Sequence, residues 1–271
     1  MHTPPPALRL TFARSVQAAL AGIAIGTLGG LIGLGGAEFR LPLLIGPFGF
    51  VALHAVILNK AMSLVVVAAA LVFRTKAVPL EQVLANAPIL VNLLAGSLLG
   101  AWLGAGWATR MRHQTLYKVI AGLLLLIAVA LVAEHWMPAH GEPLLSGAAQ
   151  WMAGLVAGFG IGVVASLMGV AGGELLIPTL VLLFGTEIKL AGSLSLAVSL
   201  PTMVVGFMRY SRDSSFEVLA RNRRFVLIMA TGSLVGAAIG GALLGVVASA
   251  VLLPLLSVIL VISAFKVWRH A

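Results

Sequence analysis

Apolar positions in this chain form long continuous runs instead of the one-sided stripes of a soluble helix. The runs last about 20 residues, the length a helix needs to cross a hydrocarbon core of roughly 30 Å. They fall at 16–34, 53–73, 83–108, 116–133, 145–170, 190–208, 225–246 and 247–265, the last two divided near Gly245 on length alone. None alternates as a barrel strand does, and backbone groups in lipid must pair internally, so helices are expected. Two further apolar pieces, at 39–45 and 175–184, are too short to cross alone. The pattern predicts an all-α polytopic membrane protein with about eight transmembrane helices, multi-pass in a cell membrane and, for a bacterial chain, the cytoplasmic (inner) one. The run that follows Arg9 and Arg14 continues to Leu34, which suits an uncleaved first helix better than a signal peptide.

Composition agrees with lipid as the solvent. Of 271 residues 61% are hydrophobic and 9% charged, where a soluble domain has roughly 45–50% and 25%. A net charge of +9 would suggest nucleic acid in a soluble protein. Here the basic residues gather in short loops, as cytoplasmic-side bias predicts, and no nucleic-acid partner is expected. An eight-span count puts Arg9, Arg14, Arg74, Lys76, the segment 209–224, Lys266 and Arg269 on one side, but leaves Arg110, Arg112 and Lys118 on the other. Cysteine is absent, which removes thiol chemistry and cysteine-ligated metals. No metal site and no cofactor are expected. No Walker-type phosphate loop, H-E-x-x-H or G-x-S-x-G arrangement is present, so the chain reads as neither an ATPase nor an enzyme.

The most informative feature is an internal repeat. LIGLGGAEFRLP at 31–42 aligns without gaps to LMGVAGGELLIP at 167–178. The register, an offset of 136, holds from Gly22/Gly158 to Leu64/Leu200 with 16 identities in 43 positions, Glu38/Glu174, Pro42/Pro178 and Ser63/Ser199 among them. Two homologous repeats, 1–133 and 147–271, are therefore expected on either side of a connecting loop at 134–146. Equal four-helix halves would point the same way, although the loop charges leave room for a different count.

In each half a helix runs into glycines, Gly35-Gly36 in one and Ala171-Gly172-Gly173 in the other, where it should break. Irregular backbone at membrane depth is tolerated where protein or a water-filled cavity surrounds it. Matched breaks in two repeats point to a transporter's substrate site. The plainer alternative is close helix packing, which suffices for Gly96–Gly100–Gly104 and Gly232–Gly236–Gly240. Glu38 and Glu174 follow the breaks and suit either helix capping or proton handling. Arg40 and Lys60 are basic and not repeated, their counterparts being Leu176 and Leu196. Lys60 lies deep in a span beside Asn59 and Ser63, and its alternative is to snorkel to the interface. Ser193, Ser195 and Ser199 line the matching helix. Cations, hydroxyls, an amide and helix N-termini are the parts a small oxyanion requires.

These residues resemble the sulfite exporter TauE/SafE family over essentially the whole chain. The resemblance is carried by GLGGAEFRLP and GVAGGELLIP, each followed by a small-polar helix, AVILNKAMSLVVVAAALVFR and LAGSLSLAVSLPTMVVGFMRY. It implies a two-repeat transporter of seven or eight helices that moves sulfite, sulfonates or related organic anions. By position it carries over Gly33, Gly35, Gly36, Gly169, Gly172 and Gly173, and the polar set Asn59, Lys60, Ser63, Ser195 and Ser199. Glu38 and Arg40, apolar in many members, set this chain apart. The expected function is a secondary transporter of a small anion, with Glu38 and Glu174 exchanging protons as the coupling ion while the halves rock. A passive anion channel, or a membrane subunit of a larger complex, is the alternative.

Overall fold

The computed structural model describes residues 8, 10–32, 36–74, 78–134, 143–243 and 249–270. Helices α1 (Phe12–Ile32), α2 (Ala37–Ile45), α3 (Ala52–Arg74), α4 (Leu80–Ala85), α5 (Ala87–Arg110) and α6 (His113–Glu134) come first. They are followed by α7 (Gly147–Met168), α8 (Gly173–Phe184), α9 (Ile188–Tyr210), α10 (Glu217–Arg221), α11 (Arg223–Ala242) and α12 (Ser249–Trp268), with a 3-10 turn at Ser214–Phe216 before α10. No strand occurs among the described residues. Seven helices (α1, α3, α5, α6, α7, α9 and α11) are long and apolar enough to cross a membrane, and α12 adds a mostly apolar helix of 20 residues. This is an all-α polytopic membrane protein.

The expected span at 83–108 is two helices. Asn86 separates α4 from α5, and a proline in the first turn of α5 fixes its start. The division proposed at Gly245 lies outside the described residues. The two short apolar pieces are α2 and α8. Equivalent helices begin at Ala37 and Gly173, Ala52 and Ile188, Ala87 and Arg223, His113 and Ser249. The offset of 136 thus runs past the 43 positions where sequence identity reveals it.

Helix directions follow from paired contacts. Gly22, Gly26 and Gly30 of α1 meet Met229, Ser233 and Ala237 of α11 in the same order, so those helices are parallel. Gly96, Gly100 and Gly104 of α5 likewise track Leu155, Phe159 and Val163 of α7. In both pairs backbone touches backbone, the close approach that small residues permit in lipid. By contrast α3 and α9 are antiparallel. Lys60, early in α3, lies against Gly206, late in α9, while Val78 and Val83, beyond the end of α3, pack with Ala191 and Leu194 at the start of α9. Since α3 and α9 occupy equivalent places, the halves are inverted relative to each other, not parallel.

The inversion comes from the short helices. Gly36, at the tip of α2, lies back against Ile25 and Gly29 of α1. Phe48 and Phe50, beyond the other end of α2, touch Phe225 at the start of α11, with ring centroids 4.9 and 5.6 Å away. The chain therefore enters along α1, turns at depth and returns along α2 to the side it came from. In the same way Gly172 lies back against Ile161 and Ala165 of α7. Each half thus opens with a re-entrant hairpin, so α3 starts where α1 started; the loops between the first hairpin and the second change sides relative to a simple count, and the second hairpin restores it.

This resolves the charge conflict. Arg209 and Arg212 lie over Trp102 of α5, and Lys118 lies over Trp268. His113 and Asp213 are each within electrostatic reach of His54. One face therefore carries Arg14, Arg110, Arg112, Lys118, the segment 209–224, Lys266 and Arg269. The opposite face holds Lys189 together with Glu81 and Glu187. The basic face is cytoplasmic. The end of α3 at Arg74, expected on the cytoplasmic side, is on the other, and Arg110, Arg112 and Lys118 are inside. Because the chain has no cysteine, single cysteines report sidedness directly. Arg112→Cys and Ser214→Cys are expected to react with an impermeant maleimide from the cytoplasmic face only, and Gln82→Cys from the other face only; labelling of Arg112→Cys from outside would refute the hairpin topology.

Candidate functional site

Two hairpin tips meet at the centre of the bundle. Gly36 caps α2 at φ +70° and Gly172 caps α8 at φ +81°, left-handed conformations that glycine adopts without strain. At the second break α7 ends at Met168 and Gly169 turns the chain, also left-handed, at φ +69°. Gly33 and Gly35 lie outside the described residues. Neither helix N-terminus has a side-chain cap from the residue before it, and the positive end of each helix dipole favours negative charge there.

Glu38 and Glu174 occupy those first turns, are 1% and 2% exposed, and stand within electrostatic reach of each other. Their four carboxyl oxygens find no hydrogen-bond partner among the described residues. Each carboxyl lies beside the amide of its own first turn, the setting in which the helix dipole attracts negative charge.

Arg40 is one turn into α2 and wholly buried. Its guanidinium donates to Asn59 Oδ1 (3.3 Å) and Ser63 Oγ (3.1 Å) on α3 and to Ser233 Oγ (3.3 Å) on α11. Its Nε has no partner. Asn59 in turn ties the tips together, donating to the carbonyls of Ala37 (3.0 Å) and Met168 (3.1 Å). Ser199 of α9 holds the second tip alone, donating to Ala171 O at 2.8 Å. Polar groups at the heads of both hairpins are thus fixed by the antiparallel pair α3 and α9.

Lys60 is buried too, so it does not snorkel, but it belongs to a different cluster. It points at α7 and α9, where its Nζ donates to Ser166 Oγ at 3.5 Å. Ser166 donates onward to Ala101 O at 2.9 Å, and Tyr210 donates to Ser166 O at 2.9 Å. The absence of a side chain at Gly206 leaves room for the ammonium. Neither Arg40 nor Lys60 makes an ion pair with a carboxylate among the described residues.

The structure therefore brings together Gly36, Glu38, Arg40, Asn59 and Ser63 from one half with Gly172, Gly173, Glu174 and Ser199 from the other. It does not bring in Ser195, whose hydroxyl turns back to Gly192 O of its own helix at 2.9 Å. Ser233 and Ser166 were not singled out in the sequence. Ser233 had a signal: LAGSLLGAWLG at 94–104 and ATGSLVGAAIG at 230–240 stand at the same offset of 136 and pair Ser97 with Ser233. The two serines differ in what they meet. Ser233 meets Arg40, while Ser97 shares a 2.7 Å hydrogen bond with Thr202.

Crossed re-entrant hairpins with unpaired cations and carboxyls at mid-membrane place the molecule among membrane transporters. The chain matches the family described as Sulfite exporter TauE/SafE over residues 18–267 of 271. It belongs to that family of membrane transporters. Comparison with curated proteins and with solved structures returns no match.

Proposed function

We propose that the protein is a secondary transporter of a small sulfur oxyanion, sulfite or an organic sulfonate, across the cytoplasmic membrane. One observation carries this reading: a wholly buried arginine makes its hydrogen bonds only to neutral groups. Burying a charge without a counter-charge costs several kcal/mol, and Glu38, though within electrostatic reach of Arg40, forms no ion pair with it. A substrate anion supplies the missing partner. Asn59, Ser63 and Ser233 hold the guanidinium with its fork oriented, and the two uncapped helix N-termini add partial positive charge. Lys60 is a second cationic station one helix face away. Glu38 and Glu174 take up and release the coupling proton.

The same reading divides the chain into repeats at 1–133 and 147–271 joined by 134–146. Motion between sequence halves is not the natural mode, because the tightest pairs, α1 with α11 and α5 with α7, each join one half to the other. The units that move are composite: α1, α2, α3 and α11 in one, α5, α7, α8 and α9 in the other. Their shared seam is α3 against α9, beside the hairpin tips.

Purified protein in proteoliposomes tests the proposal. Labelled sulfite flux is expected to saturate, to be inhibited by sulfonates and to respond to a pH gradient. Non-saturating flux insensitive to pH would indicate a channel, and absence of flux with any of these anions would refute the substrate class.

A further inference from the structure

A groove opens on the cytoplasmic face, away from the hairpin tips. It has a volume of about 540 Å³ and lies between the end of α2 and the end of α12. Pro42, Leu43 and Ile45 form one wall and Ile259, Ile262 and Val267 the other, while Lys266, Arg269 and His270 stand at its rim. Lys266 and Arg269 are exposed and neither is in an ion pair with a carboxylate among the described residues. Trp268, with Lys118 over its ring, marks the level of the membrane interface.

The inverted repeat supplies an internal control. The equivalent place on the opposite face lies between α8 and the end of α6. There α8 continues to Phe184, 12 residues against nine in α2. Leu182 and Leu183 therefore stand where the first half has Gly46 and Pro47, and Phe184 packs at a tilt against Trp151, ring centroids 5.8 Å apart. The positions matching Lys266, Arg269 and His270 are Ala130, Ala133 and Glu134. One copy carries no basic residue at these positions. The other is open and basic, and it faces the leaflet that carries anionic lipid.

We infer that this groove binds one anionic phospholipid of the cytoplasmic leaflet. Its acyl chain lies along Leu43, Ile45, Ile259 and Ile262, and its phosphate sits between Lys266 and Arg269. The groove's inner wall is α2, the helix that carries Glu38 and Arg40, so the bound lipid also braces the re-entrant hairpin from outside.

Native mass spectrometry and thermal unfolding of the full chain in detergent test this with added phosphatidylglycerol, phosphatidylcholine or soluble glycerol phosphate. Phosphatidylglycerol is expected to be retained and to raise the unfolding temperature; the other two are not. Because each basic residue near an anionic surface contributes about 1 kcal/mol, the variant Lys266→Gln/Arg269→Gln should retain phosphatidylglycerol roughly thirtyfold less well. Ile262→Trp, which fills the groove without touching charge, should lose the lipid as well. Arg14→Gln, on the same face but away from the groove, should not change retention. Equal retention of the two phospholipids, unchanged retention in both groove variants, or stabilisation by glycerol phosphate alone would overturn the inference. None of these readouts depends on transport, so the lipid site stands or falls separately from the proposed substrate.

Discussion

Arg40→Gln is expected to lower sulfite flux roughly 100-fold while leaving the protein folded and inserted. Loss of a charge-assisted contact to a bound anion costs about 3 kcal/mol at most, which is about two powers of ten in rate or affinity. The glutamine can still reach one of the three acceptors that now hold the guanidinium, Asn59, Ser63 and Ser233. It also removes a charge that the empty site leaves without an ion pair, so thermal stability should be maintained or improved. Arg40→Lys keeps the charge but loses the planar fork, and should recover only part of the flux. Lys60→Gln, on the other face of α3, should impair flux less. A purely structural arginine predicts the opposite pattern: Arg40→Gln loses stability and flux together, and substrate no longer protects the wild type against unfolding any better than it protects the variant.

The asymmetry of the two halves gives this prediction a control within the molecule. Leu176 stands where Arg40 stands in the first half, and the serine matching Ser233, Ser97, is occupied by Thr202. The repeat therefore supplies the frame twice and the anion-binding cation once.

Much of that frame was legible in the sequence because duplication leaves a register that apolar composition cannot imitate. Paired glycine, glutamate and proline at one offset located both helix breaks, and charge in a membrane span located Glu38, Arg40 and Lys60. The orientation of the halves was not legible. Hydropathy records how long an apolar segment is but not whether the chain leaves by the side it entered, and nine residues of α2 reverse the side of each loop up to α8. The misplaced Arg110, Arg112 and Lys118 were the visible trace of that reversal. Grouping of the polar residues was likewise hidden. Asn59 and Lys60 are neighbours in sequence, yet 100° of helix rotation sends one to the hairpin tips and the other to Ser166 and Gly206. Ser195, at the position matching Asn59, bonds its own helix, which a serine hydroxyl often does and a longer amide need not.

Replacing both carboxyls, Glu38→Gln and Glu174→Gln together, is expected to uncouple the transporter without silencing it. Amides keep the shape and polarity of the pair but cannot exchange protons, and the Arg40 cluster that holds the anion is left in place. Exchange of labelled for unlabelled sulfite across the membrane should therefore persist, whereas accumulation driven by a pH gradient should vanish. For one proton per anion, a gradient of one pH unit is worth about tenfold in concentration, so the difference is easily read. The single variants separate the two glutamates. Glu38 stands within electrostatic reach of Arg40 and its substitution should also tighten anion binding, since one competing negative charge is gone. Glu174 has Leu176 at the matching place, so Glu174→Gln should reduce coupling with affinity unchanged. Gradient-driven accumulation that survives in the double variant would exclude both residues as proton carriers, and equal affinity changes in the two single variants would remove Arg40 as the cause of their difference.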